Sequence, residues 1–265
     1  MSFKEIKNII SKEESSLLSI NNINNELNLN YINILKNDKR KNVISLGISL
    51  EKKINNLKLE IKRVEKLYEF DRSFGNDILI AGVDEVGRGP LAGPIAASAV
   101  ILKLDYENVQ DLILGIKDSK KLSETKRQAL STKIKQQALA FSIAIIDADD
   151  IDRRGIAWCN NEVFKIAVKG LKCRPDFILS DGYPIKDFNI KSTGIVKGDN
   201  KSASIACASI LAKVYRDDLM KEYAKIYGNY GFEKNAGYGT QKHIEAIKKH
   251  GPCEIHRTYF LSNII

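Results

Sequence analysis

Ile78-Leu79-Ile80-Ala81-Gly82-Val83-Asp84-Glu85-Val86-Gly87-Arg88-Gly89-Pro90-Leu91-Ala92-Gly93-Pro94 is the stretch on which the fold turns. Its apolar run, Ile78 to Val83, predicts a buried strand. Two acids, Asp84 and Glu85, close that run, where burial costs several kcal/mol unless a cation compensates. A bound metal is the simplest compensation.

Two more acids stand in comparable places. Asp181 follows Phe177-Ile178-Leu179-Ser180 and precedes Gly182; Asp199 follows Ile195-Val196-Lys197-Gly198, shortly before a helix predicted to start near Ser202. Either one alone fits a turn former or a helix cap. Together with the first pair they make four carboxylates that an α/β sheet can gather at one edge. Such a set repels itself unless hard cations neutralise it, and oxygen ligands select Mg²⁺ or Mn²⁺. Two such ions ~3.5–4 Å apart activate a water and stabilise the leaving oxygen of a phosphodiester.

Outward from this stretch the chain alternates. Strands are expected at 78–83, 95–102, 140–146, 177–179 and 190–196, and helices at 123–137, 158–171, 202–227 and 240–250. Ser123 is a suitable cap for the first of these helices, with Glu124 in its first turn. This order predicts an α/β layered domain over residues 76–265 whose C-terminal segment is helical. Residues 1–75 are different in kind: they hold no proline, and Gly47 is their only glycine before Gly75. Ile54, Leu57, Ile61, Val64 and Tyr68 recur at spacings of three and four, which predicts a long amphipathic helix. The register lasts only about two heptads, so a helical extension packed on itself or on the main domain is favoured over a partner-binding zipper.

The 265 residues include 43% hydrophobic ones, enough for a sizeable core. Lysine and arginine number 42 against 33 acids, a formal charge of +9 that suits a polyanionic partner. Cys159, Cys173, Cys207 and Cys253 show no Cys-x-x-Cys spacing and read as plain buried thiols in a reducing compartment. The start of the chain lacks a secretory pattern, and no run approaches the ~18 apolar residues of a membrane span. A soluble, cytoplasmic monomer without membrane or evident protein partners is expected.

Gly87-Arg88-Gly89 with Gly93 imitates a dinucleotide fingerprint, but its spacing is G-x-G-x-x-x-G and Pro90 and Pro94 oppose the helix that should open there. A polynucleotide is the better ligand: glycines let the backbone approach, and Arg88 can pair with a phosphate. Lys117-Asp118-Ser119-Lys120-Lys121 is a polar loop suited to backbone phosphates, and Lys197, Lys201, Lys213 and Arg216 can extend a positive groove. Gly237-Tyr238-Gly239-Thr240 sets an aromatic between glycines, either a platform for a sugar or base or a packed turn. His243, His250 and His256 show no zinc spacing and default to structural or surface roles.

The segment from Gly82 to Pro94 resembles the signature of bacterial ribonuclease HII. Asp118-Ser119-Lys120-Lys121-Leu122-Ser123, Ser180-Asp181-Gly182, Lys197-Gly198-Asp199, the helix from Ser204 to Asp217, and Gly237-Tyr238-Gly239-Thr240 with His243 follow in that family's order. The resemblance covers about residues 77–260. It implies a ribonuclease H-like mixed sheet flanked by helices, with endonucleolytic cleavage of the RNA strand of RNA–DNA hybrids. It also implies incision 5′ of single ribonucleotides embedded in duplex DNA, leaving 3′-hydroxyl and 5′-phosphate ends in ribonucleotide removal. By the same resemblance Asp84, Glu85, Asp181 and Asp199 bind two Mg²⁺ or Mn²⁺ ions, and Gly87, Arg88 and Gly89 contact the RNA-to-DNA junction. Tyr238 would stack near the following deoxyribose, and Ser119, Lys120 and Lys121 would hold phosphates. Two alternatives stand beside it: a ribonuclease HIII-like preference for longer RNA stretches, and a non-catalytic nucleic-acid-binding protein. Arg88 and the helical extension favour ribonuclease HII over ribonuclease HIII.

Overall fold

The computed structural model describes residues 1–17, 26–75, 77–262 and 264. The chain divides into two compact units, one of Met1–Lys66 with Asp105–Gly115 and one of Leu67–Leu104 with Ile116–Ile265. The segment 105–115, which leaves the second unit and belongs to the first, has no counterpart in the sequence reading.

The first unit is helical. It contains α1 (Phe3–Leu17), α2 (Glu26–Lys36) and most of the 32-residue α3 (Lys41–Arg72). Ile6, Ile10, Ile32, Leu35, Val43, Leu50, Ile54 and Ile61 form its core, with Val109 and Leu114 from the 105–115 segment against it. These helices thus bury their apolar stripes on one another, as the self-packed reading requires. Glu60 fastens the inserted segment by accepting the Gly115 backbone N–H at 2.8 Å.

The second unit is built on a five-stranded sheet of β1 (Ile80–Val86), β2 (Ile95–Ile101), β3 (Ala140–Ile146), β4 (Phe177–Asp181) and β5 (Lys191–Ile195), in the order β3-β2-β1-β4-β5. The first three strands pair antiparallel, and β1, β4 and β5 run parallel. The helices of this unit are α4 (Glu124–Gln137), α5 (Ala148–Arg154), α6 (Ile156–Lys169), α7 (Ala203–Ile226), α8 (Phe232–Asn235), α9 (Gln241–His250) and α10 (Thr258–Leu261). The Ser123 hydroxyl caps α4 by accepting the Lys126 N–H at 3.4 Å. The helix expected at 158–171 forms as α6, two residues earlier at each end, and a further helix without a sequence counterpart, α5, precedes it: Asp147 caps α5, and Gly155 at φ +80° turns the chain into α6. Among the described residues no helix is long and apolar enough to cross a membrane.

Strand alternation divides the sheet between two helical layers. Ala81, Val83, Ile95, Ala97, Ala99 and Ile101 pack with Val163, Phe164, Ala167 and Val168 of α6. Ile80, Gly82 and Asp84 therefore face α7. That helix approaches β1 so closely that a Cβ on Gly82 would lie 2.1 Å from the Ser204 carbonyl carbon and 2.3 Å from the Ile205 nitrogen. Ala203, Ala206, Ala208 and Ala212 make such proximity possible, and every residue from Ala203 to Ala212 is buried. The entry of α7 is held twice, by the Ser202 hydroxyl accepting the Ile205 N–H at 3.1 Å and by the buried Asp71 carboxylate accepting the Ser204 N–H at 2.8 Å. Of the thiols, Cys159 and Cys207 are buried as expected, whereas Cys173 and Cys253 are only partly covered.

Gly82→Ala must push α7 off the sheet, because the obstacle is backbone on both sides. Urea unfolding should show a loss of about 3 kcal/mol, the upper range for overpacking; an unchanged midpoint would refute this close packing.

Candidate active site

The parallel pairing of β1 with β4, with Val83 opposite Ser180, sets Asp84 beside Asp181 at the same edge of the sheet. β5 lies alongside β4, and the chain leaving it turns left-handed at Lys197, φ +55°, into the 3-10 turn Gly198–Asn200 that carries Asp199. The turn is tied back by the Gly198 N–H, which donates to Asp181 Oδ1 at 2.7 Å. Gly198 sits close to α7: a Cβ there would stand 2.6 Å from Ile205 Cδ1, which would have to shift.

All four predicted acids line one pocket of about 330 Å³, together with Val86, Ser119, Lys120, Ser209, Lys213 and Tyr238. A neighbouring 630 Å³ recess shares Lys120, Asp181 and Asp199 and adds Asp118, Lys121 and Lys197. Asp84 is only 7% exposed; desolvation, then Glu85 and Asp181, push its carboxyl well above the ordinary range. Burial also raises Glu85, opposed by Arg88, whose guanidinium lies 3.6 Å away. Asp199 is raised by burial and by Asp118 and Asp181, against the hydrogen bond from Asn200. As they stand, no three His, Cys, Asp or Glu side chains among the described residues converge on a single ion position. Like charges in low dielectric favour that separation.

The donor set fits a hard divalent cation: its charged donors are carboxylates, and burial raises Asp84, Glu85 and Asp199, with Arg88 and Lys120 only partly offsetting the rise at Glu85. One further oxygen supports the fit. Ser98, directly across from Asp84 on β2, has a buried hydroxyl without a hydrogen-bond partner.

The basic loop wraps the other side of the pocket. Asp118 Oδ1 accepts the Lys120 N–H at 3.0 Å, and Lys121 Nζ reaches Asp118 at 3.5 Å and Asn200 Oδ1 at 3.3 Å. Ser119 is buried; its hydroxyl accepts from Ser209 of α7 at 3.0 Å.

The glycine turn is built around buried arginines. Arg257 donates to the carbonyls of Gly87 at 2.6 Å, Arg88 at 3.0 Å and Gly93 at 2.7 and 2.9 Å. Arg216 donates to those of Pro94 at 2.8 Å, Ala92 at 3.1 Å and Ala236 at 2.8 Å. Both are fully buried, so Arg216 contributes nothing to a surface groove, contrary to the sequence expectation. Desolvation lowers both guanidinium pKa values, that of Arg257 to about 9. Gly87 takes φ +97°, and a Cβ on it would meet Arg216 Nε at 2.4 Å, so only glycine fits over the arginine. Gly89 faces open space and the Arg88 side chain is half-exposed. Tyr238 is 41% exposed at the pocket rim, and its turn is joined to the glycine turn by the Leu91 N–H donating to the Gly237 carbonyl at 2.8 Å.

The ribonuclease HII family matches residues 81–263, and its N-terminal domain family matches residues 4–75. Ribonuclease HII of Clostridium acetobutylicum is 57% identical over 265 residues, covering all of both chains. The chain belongs to the ribonuclease HII family. It is a ribonuclease H, and the non-catalytic reading is set aside. Among solved structures, ribonuclease H2 of Pyrococcus horikoshii superposes with a TM-score of 0.60 at 28% identity, over 71% of this chain and 97% of that one. The ribonuclease HII of Archaeoglobus fulgidus in its complex with PCNA shares the fold, with a TM-score of 0.56 at 23% identity over 70% of this chain and 96% of that one.

Several residues of this ribonuclease HII escaped the sequence reading. Ser209 lies on an alanine-rich helix, two turns before Arg216 on the same face, and Arg257 sits far in sequence from the turn it holds. Asp118, in a loop whose sequence looks simply basic, supplies a carboxylate at the rim of the neighbouring recess.

A carboxyl with a raised folded pKa binds its proton more tightly in the folded chain, so stability falls as pH rises from about 4 through the folded value. Asp84→Asn keeps the acceptor for the Glu85 N–H but removes the charge. Thermal melts in chelator should show the variant more stable than wild type at pH 8, by about 1.4 kcal/mol per pKa unit relieved, with the gap closing towards pH 4. A variant less stable at pH 8 would contradict the burial account.

Proposed function

We propose that this ribonuclease HII cuts the RNA strand of RNA–DNA hybrids and incises duplex DNA 5′ of a single embedded ribonucleotide, leaving 3′-hydroxyl and 5′-phosphate ends. The observation that carries this reading is the placement of four carboxylates and the exposed Tyr238 ring around one pocket. Asp84, Glu85, Asp181 and Asp199 would hold two Mg²⁺ or Mn²⁺ ions. Such ions supply an activated water nucleophile and Lewis-acid stabilisation of the leaving oxygen.

The protein's own groups do the rest. Arg257 and Arg216 spend their donors on the glycine turn's carbonyls, which leaves Arg88 projecting towards a phosphate at the RNA-to-DNA junction. Gly87 and Gly89 let the duplex backbone come close enough for main-chain groups to meet the 2′-hydroxyl, the group that marks a ribonucleotide. Tyr238 offers its ring to the following deoxyribose. Ser119, Lys120 and Lys121 line the approach where backbone phosphates would lie, with Ser119 contributing through its place in the turn while its hydroxyl is engaged by Ser209. In this reading residues 76–265 are the catalytic domain and residues 1–75 an extension to it.

Asp181→Asn should lower cleavage of a duplex containing one ribonucleotide by about 10³-fold, equivalent to some 4 kcal/mol of barrier, while hybrid binding without metal persists. Near wild-type turnover in Mg²⁺ would overturn the four-carboxylate assignment.

A further inference from the structure

A buried histidine pair lies behind Tyr238. His243, in the first turn of α9, and His256, before α10, are 0% and 3% exposed. Their Nε2 atoms are 3.0 Å apart. His256 Nδ1 receives the Cys253 backbone N–H at 2.9 Å, and His243 Nδ1 lies 2.9 Å from the Tyr238 carbonyl oxygen.

The two ends of this chain fix every proton in it. A backbone N–H can only donate, so His256 Nδ1 is an acceptor and its ring proton sits on Nε2. A carbonyl can only accept, so His243 Nδ1 carries the proton and its Nε2 is the acceptor. The central contact then has one donor and one acceptor, as its length requires. A proton added to either ring breaks the sequence. On His243 it sets two N–H groups face to face, and on His256 it opposes the Cys253 N–H. The surroundings favour neutrality. Tyr230 and Phe232 pack edge-on against the rings at 4.8 and 5.3 Å, and the Cys253 thiol sits 3.1 Å from His256 Nδ1. The Tyr230 hydroxyl is turned away to the Gly251 carbonyl at 2.8 Å, and the neighbouring Arg257 is committed to the glycine turn.

We propose that His243 and His256 act as positioning residues, a directed relay from the Cys253 N–H to the Tyr238 carbonyl that holds the Tyr238 ring at the substrate pocket. The same carbonyl also accepts the Thr240 N–H at 2.8 Å, so two donors fix the peptide from which the ring projects. The inference rests on the reading of Tyr238 as a substrate contact.

Nitrogen-15 NMR of histidine-labelled full-length enzyme tests the relay directly. At pH 7 His243 should be the neutral Nδ1–H tautomer, the less common one in solution, and His256 the neutral Nε2–H tautomer. An Nε2–H or cationic His243 overturns the proposal. Kinetics on a single-ribonucleotide duplex then test its consequence. His243→Leu, which removes the donor, should raise KM about tenfold with kcat and Mn²⁺ affinity within about twofold, whereas His243→Asn, which returns an N–H near the Nδ1 position, should recover most of the loss. Equal defects in the two variants overturn the positioning role. Tyr238→Ala, assayed in parallel, separates the two claims: if it leaves KM unchanged, the substrate-contact reading fails; if it raises KM and His243→Leu does not, the relay fails.

Discussion

Everything at the candidate site depends on how closely α7 lies against β1. Gly82 lacks a Cβ and α7 presents alanine and serine to it, so two backbones meet almost in van der Waals contact. That single constraint places the successive turns of α7. Its first turn meets Asp71 through Ser204 and the sheet through Ile205, Ser209 reaches Ser119 beside Asp84, and Arg216 arrives beneath the glycine turn. A helix displaced by one side chain's thickness would lose all of these together. This explains why every residue of α7 from Ala203 to Ala212 is buried although much of that stretch is alanine and serine: shape complementarity of small residues, more than apolar bulk, is what its sequence encodes.

Charge is arranged unevenly around that helix. On the pocket side carboxylates gather with too few cations, and burial raises three of them. Behind the glycine turn two buried arginines are satisfied by seven hydrogen bonds to main-chain carbonyls rather than by a direct ion pair. The first arrangement is costly by itself and suited to capturing cations. The second rigidifies a turn whose residues would otherwise have many conformations, since fixing glycine-rich backbone is entropically expensive. Binding chemistry and loop stiffness are thus supplied by opposite charges on opposite sides of the same segment.

Much of this was legible in the sequence, for physical reasons. The acids at strand ends stand out because burial makes a charge there conspicuous, and the strands announce themselves by β-branched apolar runs; β5, at the sheet's edge, is shorter at both ends than the 190–196 expected. The amphipathic spacing from Ile54 to Tyr68 correctly marks buried positions on α3, with Leu57 half-covered. Arg216 shows where such reading ends. A basic residue among lysines looks like surface charge, and only the fold reveals that it points inward to carbonyls 122 and 124 positions away and to one 20 positions away. Arg257 is invisible for the same reason, and the His243–His256 pair nearly so: the outer partners of the pair are main-chain atoms, which leave no trace in residue identity. The transfer of 105–115 to the helical unit is likewise a matter of tertiary packing through Val109 and Leu114.

The most direct test of the account is to map the ends produced from duplex DNA carrying a single ribonucleotide, with Mg²⁺ and with chelator. The account predicts one cut, 5′ of the ribonucleotide, bearing a 3′-hydroxyl and a 5′-phosphate, and no product in chelator. Cleavage on the 3′ side of the ribonucleotide, or product formed in chelator, would contradict it.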